Sequence, residues 1–244
     1  MAPEASPSAV RALGAQTAWS LVRRAEALRA RRTKGAVTGP LLGRGPVFRV
    51  PAGTTGVPAL DPPLALTVDD GPDPDWTPAL LDVLASHGVR ATFFVVGARA
   101  RAHPGLLRRV LAAGHHLGNH SLTHRQPFAA LAPGALDHEI AHTQRVVADE
   151  TGVAPALFRA PAGGWSRSVL AAVRHHGLTP VDWTVDPKDW RRPGVEHIVG
   201  RVTRARAGDI ILCHDGGGDR SHTVEALDTA LTTLRAGGAR FAPL

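Results

Sequence analysis

From about residue 59 to its last residue, the chain repeats one unit: an apolar run, a segment of helical character, a glycine and the next apolar run. The repeated glycines stand where a left-handed residue commonly ends a helix, at Gly88, Gly114, Gly177, Gly208 and Gly237/Gly238. Alternation of this kind is typical of parallel strands joined by crossover helices. The sequence therefore predicts an α/β fold with seven strands, at 64–69, 91–96, 116–120, 156–160, 178–184, 209–213 and 239–243.

Ionisable residues mark one end of these predicted strands. They lie at or just past the carboxyl end of a strand, whereas the strand starts share no ionisable residue. In a barrel, the carboxyl ends converge on one face, while an open sheet concentrates its site at a single switch point. The pattern favours a barrel whose site draws on Asp69, Asp70, His120, Arg159, Asp186, His214 and Asp215.

The formal charge of +7 is confined to the first fifth of the chain. Residues 1–49 hold nine Lys or Arg and two acidic residues, so the rest of the chain is neutral. Apolar residues at roughly helical spacing predict a basic helix in this segment, followed by a Gly/Pro-rich linker up to residue 50. Two roles fit it: a solvated helix packed on the flank of the domain, or an arm that contacts an anionic surface. No specific nucleic-acid partner is predicted.

Cysteine and hydropathy narrow the class of protein further. Cys213 is the single cysteine, so an internal disulfide and a cysteine-based metal site are both excluded, and any metal must use His and carboxylates. No run approaches 18 apolar residues, and the first residues lack the pattern of a secretory signal. We therefore expect a cytoplasmic protein with one enzyme-sized domain.

Two adjacent carboxylates, Asp69 and Asp70, follow the apolar run LAL and precede Gly71 and Pro72. Neighbouring side chains of a strand point to opposite faces, so one carboxylate would enter the interior unless the strand ends there. The Gly-Pro break predicts that it does end. The two acids could cap the next helix, or one could bind a cation while the other moves a proton.

His120 and His124 are four residues apart. If the segment turns helically after the strand, both imidazoles face one side and can hold one ion. One carboxylate from the Asp69-Asp70 pair would complete a site of two His and one Asp, which leaves open positions on Zn²⁺ for water and substrate. The second aspartate would then serve as the base that takes a proton from the attacking water.

From about Leu64 to Leu244 the chain resembles the polysaccharide deacetylases of carbohydrate esterase family 4, the NodB-homology domain. Five motifs line up in order and with family-like spacing: Thr67-Val68-Asp69-Asp70-Gly71, His120-Ser121-Leu122-Thr123-His124, Arg159-Ala160-Pro161-Ala162-Gly163, Asp186-Pro187-Lys188-Asp189-Trp190 and Leu212-Cys213-His214. The resemblance implies a distorted (β/α)7 barrel, similar to a TIM barrel. With it, residues 59–244 are expected to form the catalytic domain and residues 1–50 a basic helical extension and linker.

The resemblance also implies a role for each motif residue. The metal ligands would be Asp70, His120 and His124, holding one divalent metal, with Zn²⁺ preferred and Co²⁺ as the alternative. Asp69 would be the general base, oriented by Arg159. His214 would be the general acid, its charge set by Asp189. Substrate and oxyanion contacts would come from Ala162 through its backbone N–H, and from Trp190 and Leu212.

One position departs from the family pattern. Members commonly carry an aromatic residue, usually Tyr, where this chain has Ala162, and the chain contains no Tyr. The backbone N–H survives this change, but one wall of the sugar groove is lost. Trp165 could fill that space, and other tryptophans offer apolar surfaces for a sugar ring, at Trp76, Trp183 and Trp190.

Three functions from different classes follow. The first is a metal-dependent N-deacetylase that releases acetate from N-acetylamino sugars of peptidoglycan or chitooligosaccharide type. The alternative applies the same hydrolysis to a small intracellular amide, such as a biosynthetic intermediate. The third is a binding protein on a barrel that has lost catalysis; the intact motif positions argue against it.

Overall fold

The structure, a computed structural model, describes residues 45–50 and 62–244. Strands and helices alternate along the second of these ranges, as the sequence pattern predicts. The strands are β1 (Ala65–Asp69), β2 (Thr92–Val95), β3 (His116–Asn119), β4 (Leu157–Phe158), β5 (Thr179–Pro180) and β6 (Ile210–His214). The helices are α1 (Trp76–Ser86), α2 (Gly97–Ala102), α3 (Pro104–Ala112), α4 (Pro133–Thr151), α5 (Arg167–His175), α6 (Val195–Val202) and α7 (Ser221–Ala236).

All six strands are parallel, in the order β5-β4-β3-β2-β1-β6. The segment after β5 joins the two edges of this sheet, because Val185 bridges Ile211 of β6 and the backbone N–H groups of Thr184 and Val185 donate to the Ile210 carbonyl at 3.0 and 3.1 Å. An irregular segment thus closes the ring where a regular barrel would have a long strand. The predicted distorted (β/α) barrel is confirmed.

The prediction of a seventh strand at 239–243 is wrong. Within the described residues this stretch makes a single bridge, between Phe241 and Leu64, with two backbone hydrogen bonds to Leu64. Pro243 has no N–H to donate to a ladder. The fourth and fifth strands are also shorter than predicted, at two residues each.

Alternation along β1 decides which side chains enter the barrel. Leu66 and Val68 join the apolar layer between the sheet and the outer helices, whereas Ala65 faces the opposite side and packs in the cluster that contains Phe94 and Leu212. Asp69 lies four residues after Ala65 and so shares its face. The strand therefore delivers Asp69 to the inside of the barrel, where the side chain is 3% exposed.

Residues 45–50 lie against the barrel. Val47 bridges Val181, and Arg49 forms a buried ion pair with Asp209, whose oxygen lies 2.7 Å from the guanidinium. The predicted basic helix lies outside the described residues. No helix in the described part of the chain is long and apolar enough to cross a membrane.

Candidate active site

A cavity of about 330 Å³ opens at the carboxyl ends of the strands. Every motif of the sequence analysis contributes to its wall. The lining residues are Asp69, Asp70, His120, His124, Ala162, Trp183, Asp186, Lys188, Trp190, Leu212, His214, Gly217 and Arg220. The predicted convergence of the strand ends on one site is therefore what the fold produces.

Asp70, His120 and His124 bring three ligand atoms within 4.8 Å of one another. Nε2 of His120 and of His124 lie 3.4 and 3.1 Å from Oδ1 of Asp70. The helical turn considered as one way to align the two histidines does not form: residues 120–124 are an irregular loop in which Ser121 and His124 have left-handed backbone angles. The loop still places the two imidazole rings 5.0 Å apart, so they converge without a helix.

The chemistry of these three side chains fits a divalent metal. Among the described residues, Oδ1 of Asp70 is buried and has no hydrogen-bond partner, as expected for a ligand atom of a cation site. Nδ1 of His120 lies 2.8 Å from the Arg159 carbonyl, which fixes the ring and leaves Nε2 for the ion. Burial and the neighbouring His120 lower the pKa of His124, which favours the neutral imidazole that a metal binds.

The Asp70 carboxylate is held in its ionised form. Burial alone would raise its pKa, but the adjacent imidazole of His120, with further contributions from His214 and His124, brings the pKa well below its usual range. An ionised carboxylate is the form that binds a metal ion.

Asp69 is bound to Arg159 rather than to the helix that follows. Nη1 of the fully buried Arg159 donates to Oδ1 of Asp69 at 2.7 Å and also to Oγ1 of Thr67 at 2.7 Å. The guanidinium lies 4.2 Å from the ring centroid of Phe94, which fixes its plane. The second oxygen of Asp69 is 3.7 Å from Nε2 of His120, beside the metal-ligand cluster.

His214 ends β6 on the same side of the cavity, and Asp189 orients it. Oδ1 of Asp189 lies 2.8 Å from Nδ1 of His214, while Oδ2 accepts hydrogen bonds from the His214 backbone N–H at 2.9 Å and from the hydroxyl of Thr223 at 3.0 Å. Burial disfavours the imidazolium, but the charge and hydrogen bond of Asp189 outweigh it and raise the pKa of His214 to about 9, with Asp70 and Asp69 contributing. His214 is thus protonated at neutral pH. Its bond to Asp189 uses Nδ1, so Nε2 takes no part in that bond.

The positions expected to contact substrate differ in exposure. Ala162 is exposed, has a left-handed backbone (φ 52°) and lines the cavity with the buried Leu212. Trp190 is 44% exposed at the rim. Trp165 does not replace the missing aromatic residue: it is 1% exposed and packs in the core against Phe158, because its segment turns away from the cavity.

Non-glycine residues with positive φ concentrate around this cavity. Such residues are uncommon and mark strained backbone held by its surroundings. In the described part of the chain they are Asp70, Ser121, His124, Ala162, Lys188 and Arg192. Four of the six line the cavity.

Sequence reasoning missed Glu139, a buried acid on α4. Its carboxylate accepts hydrogen bonds from the backbone N–H groups of Leu122 and Thr123 at 2.9 and 2.8 Å, and from the Thr123 hydroxyl at 2.6 Å. It therefore holds the loop that carries both histidines. A signal was present in the sequence: Glu139 falls on the same face of the helix as the apolar residues Leu136 and Ile140, and that face points inward.

Asp215, another of the strand-end acids, does not line the cavity. It lies fully buried under the turn that follows Asp70 and accepts a hydrogen bond from Thr77 at 2.5 Å. Burial raises its pKa to about 7, with Asp70 and Asp73 adding to the rise and Thr77 opposing it. A Cβ on Gly71 would lie 2.3 Å from Oδ1 of Asp215, so this turn has room only for glycine.

Comparisons with known proteins agree with this architecture. The family model described as polysaccharide deacetylase matches residues 56–181. A peptidoglycan-N-acetylglucosamine deacetylase of Bacillus cereus is 40% identical over 191 residues, covering 77% of this chain and 89% of the relative. A chitooligosaccharide deacetylase of a Bradyrhizobium species is 42% identical over 192 residues, covering 73% and 87%.

Solved structures give the same result. A family 4 carbohydrate esterase from Streptomyces lividans, in complex with acetate, is similar with a TM-score of 0.69 and 35% identity, covering 76% of this chain and 93% of that one. A carbohydrate esterase family 4 pseudoenzyme from Bacillus anthracis is similar with a TM-score of 0.73 and 27% identity, covering 82% and 68%. This chain is a member of the polysaccharide deacetylase family, the carbon-nitrogen hydrolases of carbohydrate esterase family 4.

Proposed function

We propose that this protein is a metal-dependent N-deacetylase that hydrolyses the acetamide of N-acetylamino sugars in a glycan and releases acetate. The observation that carries the proposal is the placement of the Asp70, His120 and His124 cluster in one cavity with the Asp69-Arg159 and His214-Asp189 pairs. The names of the relatives support an N-acetylated glycan as the substrate class.

Asp70, His120 and His124 would hold the metal, and Zn²⁺ suits two imidazoles and one carboxylate best, with Co²⁺ as an alternative. Bound there, the metal would act as a Lewis acid toward the acetamide carbonyl and the attacking water. Neighbouring groups hold these ligands in place: the Arg159 carbonyl orients His120, and Glu139 fixes the loop that carries His124.

Asp69 would accept the proton of the attacking water. Arg159 orients the carboxylate through Oδ1 and leaves Oδ2 directed toward the His120 side of the cavity. A base must lie within hydrogen-bond reach of the proton that it removes. A water held between Oδ2 of Asp69 and the cluster of Asp70, His120 and His124 would lie within that reach.

His214 would give a proton to the leaving amine. Amide hydrolysis needs this proton because an unprotonated amine is a poor leaving group. The pKa near 9 keeps the imidazolium populated at neutral pH, and Asp189 keeps its ring oriented. The backbone N–H of Ala162 would stabilise the oxyanion, a role that does not depend on the side chain lost at this position.

Trp190 would support a sugar ring. Its half-exposed indole lies at the rim of the cavity, and the Arg191 guanidinium lies 4.7 Å from the ring centroid. An aromatic face of this kind suits the apolar face of a pyranose better than a small amide, and so favours a glycan over the alternative substrate.

Acetate release from the zinc-loaded protein tests the function. We expect release from chitooligosaccharide or peptidoglycan glycan strands, loss of it after chelation, and its return on adding Zn²⁺. Asp70→Asn serves as the metal-site control and should release none. Release from small acetamides alone would contradict the glycan assignment, and full release after complete metal removal would contradict the metal dependence.

A further inference from the structure

Arg220 is a buried arginine that the proposed mechanism does not use. It lies between β6 and the first turn of α7, is 4% exposed and lines the active-site cavity. Its Nε donates to the Gly216 carbonyl at 2.8 Å. Within residues 45–50 and 62–244, no carboxylate oxygen lies within 4.0 Å of its guanidinium.

The other two buried arginines of the described chain behave differently. Arg49 and Arg159 each have a carboxylate oxygen 2.7 Å away, on Asp209 and Asp69 respectively. A buried cation without an opposite charge is costly, which explains those pairs. Arg220 alone among the three has its guanidinium charge unmatched by a carboxylate.

The terminal nitrogens of Arg220 reach the cavity. In the described residues, the fully buried side-chain atoms that lack a hydrogen bond include Nε of Arg159 but neither Nη atom of Arg220. In the described chain its one side-chain hydrogen bond uses Nε, so Nη1 and Nη2 are accessible from the cavity. These two donors form the planar fork that binds a carboxylate through two parallel hydrogen bonds.

Gly217 borders both this fork and the Asp70 carboxylate. A Cβ at Gly217 would lie 3.4 Å from Nη2 of Arg220 and 3.3 Å from Oδ2 of Asp70, so those two atoms are no farther apart than the sum of these distances. Gly217 has no side chain to fill the gap between them, and its φ of +81° suits glycine. A group bound by Arg220 would therefore sit beside the reacting acetamide.

The nearby charges argue for a singly charged anion. Lys188, which also lines the cavity, has Asp186 at 2.6 Å, and Arg192 has Asp219 at 2.7 Å, so neither adds an unpaired charge beside the Arg220 fork. A single guanidinium fork matches the single charge and the two oxygens of a carboxylate.

We propose that Arg220 forms a subsite for a carboxylate carried by the sugar substrate, so that the protein prefers an acidic N-acetylamino sugar over its neutral counterpart. This inference rests on the proposed deacetylase function. The carboxylate chemistry has two sources, a carboxylate on the glycan and the acetate that the reaction releases, and the proposal commits to the first.

The test compares two matched oligosaccharides that differ only in whether one carboxylate is free or methyl-esterified. With the wild-type protein, kcat/KM for the free acid should exceed that for the ester by about tenfold, the scale of one charge-assisted hydrogen-bond pair. This comparison uses only the wild-type protein, so it does not depend on whether an Arg220 variant folds. A wild-type ratio near one overturns the proposal.

Two variants locate the effect. Arg220→Gln should bring the acid-to-ester ratio close to one, whereas Arg108→Gln, an exposed arginine on α3, should keep the wild-type ratio. A folded Arg220→Gln protein with an unchanged ratio overturns the subsite. If acetate inhibits the wild type and Arg220→Gln abolishes only that inhibition, the subsite serves product and the proposal is wrong. Absence of acetate release from acid, ester and chitooligosaccharide alike would instead overturn the deacetylase function, and the subsite with it.

Discussion

Asp69 and His214 are register partners on neighbouring parallel strands, β1 and β6, at the point where both strands end. Each is fixed by a different buried partner, Arg159 for the carboxylate and Asp189 for the imidazole. The sheet thus sets the proposed proton acceptor next to the proposed proton donor. The metal-ligand cluster lies on the β2 and β3 side of Asp69, since His120 follows β3.

Mutation should distinguish the roles of the two adjacent aspartates, Asp69 and Asp70. Asp69→Asn should keep metal stoichiometry near that of the wild type and lower turnover by about 10²-fold or more, the scale of general-base loss. Asp70→Asn should lose the metal, because Oδ1 of Asp70 is the oxygen that faces both imidazoles. Elemental analysis of the purified proteins and acetate release measure the two effects. The reverse pattern would show that the roles are exchanged.

The alkaline limit of activity should report His214. In the proposed mechanism the imidazolium donates the proton, so with a pKa of about 9 the rate should fall as pH rises through that value. Asp189→Asn removes the largest contribution that raises this pKa and should move the limb to lower pH. The pH profile of kcat measures the shift.

His214 can be tested separately by the leaving group. His214→Ala should slow hydrolysis of amides with basic leaving groups most, and an activated ester far less, because the ester's leaving group needs no proton. Equal slowing of both substrates would mean that His214 serves binding or structure.

Glu139 should act through the loop that it holds. Glu139→Gln replaces the charge-assisted bonds of a carboxylate with the weaker bonds of a neutral amide, so the bonds to Leu122 and Thr123 are weakened. Metal affinity should fall by about 10- to 100-fold, as for other residues that orient ligands. Arg145→Gln, an exposed change on the same helix, is the matched control. Metal titration showing equal affinities for the two variants would refute this role.

Gly71→Ala should destabilise the turn after β1. The new methyl group would meet the buried Asp215 carboxylate, and overpacking of this kind costs about 1–3 kcal/mol. Gly105→Ala on α3 is the control, because no atom lies within 4 Å of its would-be Cβ. Thermal unfolding should show a lower Tm for Gly71→Ala alone, and similar Tm values for the two variants would contradict the close contact.

Catalysis should not require the basic segment that precedes Arg49, whereas stability should require Arg49 itself. Deleting residues 1–44 should leave turnover of a small soluble substrate within about threefold, since the remainder holds all five motifs. Deleting residues 1–50 also removes the cation that pairs with buried Asp209, at a cost of about 3–5 kcal/mol in unfolding free energy. Chemical denaturation of both truncations measures this difference. Equal stability would show that the ion pair contributes little.

Local pattern was sufficient for the fold class and for the residues of the motifs. The alternation of apolar runs and helical segments predicts parallel β/α units, because the periodicity of burial is a property of neighbouring residues. The adjacency of Asp69 and Asp70 likewise predicts different environments for the two, since a strand that ends there turns one carboxylate inward and leaves the next beyond it.

Tertiary structure decided what depends on contacts between distant residues. Trp165 faces the core, the last apolar run makes one bridge, and Glu139 reaches back to a loop 16 residues earlier; none of these follows from spacing. Whether a buried arginine has a partner is also a long-range property. Arg159 meets an acid 90 residues away, whereas Arg220 meets none in the described chain, because only packing determines which charges share the low-dielectric interior.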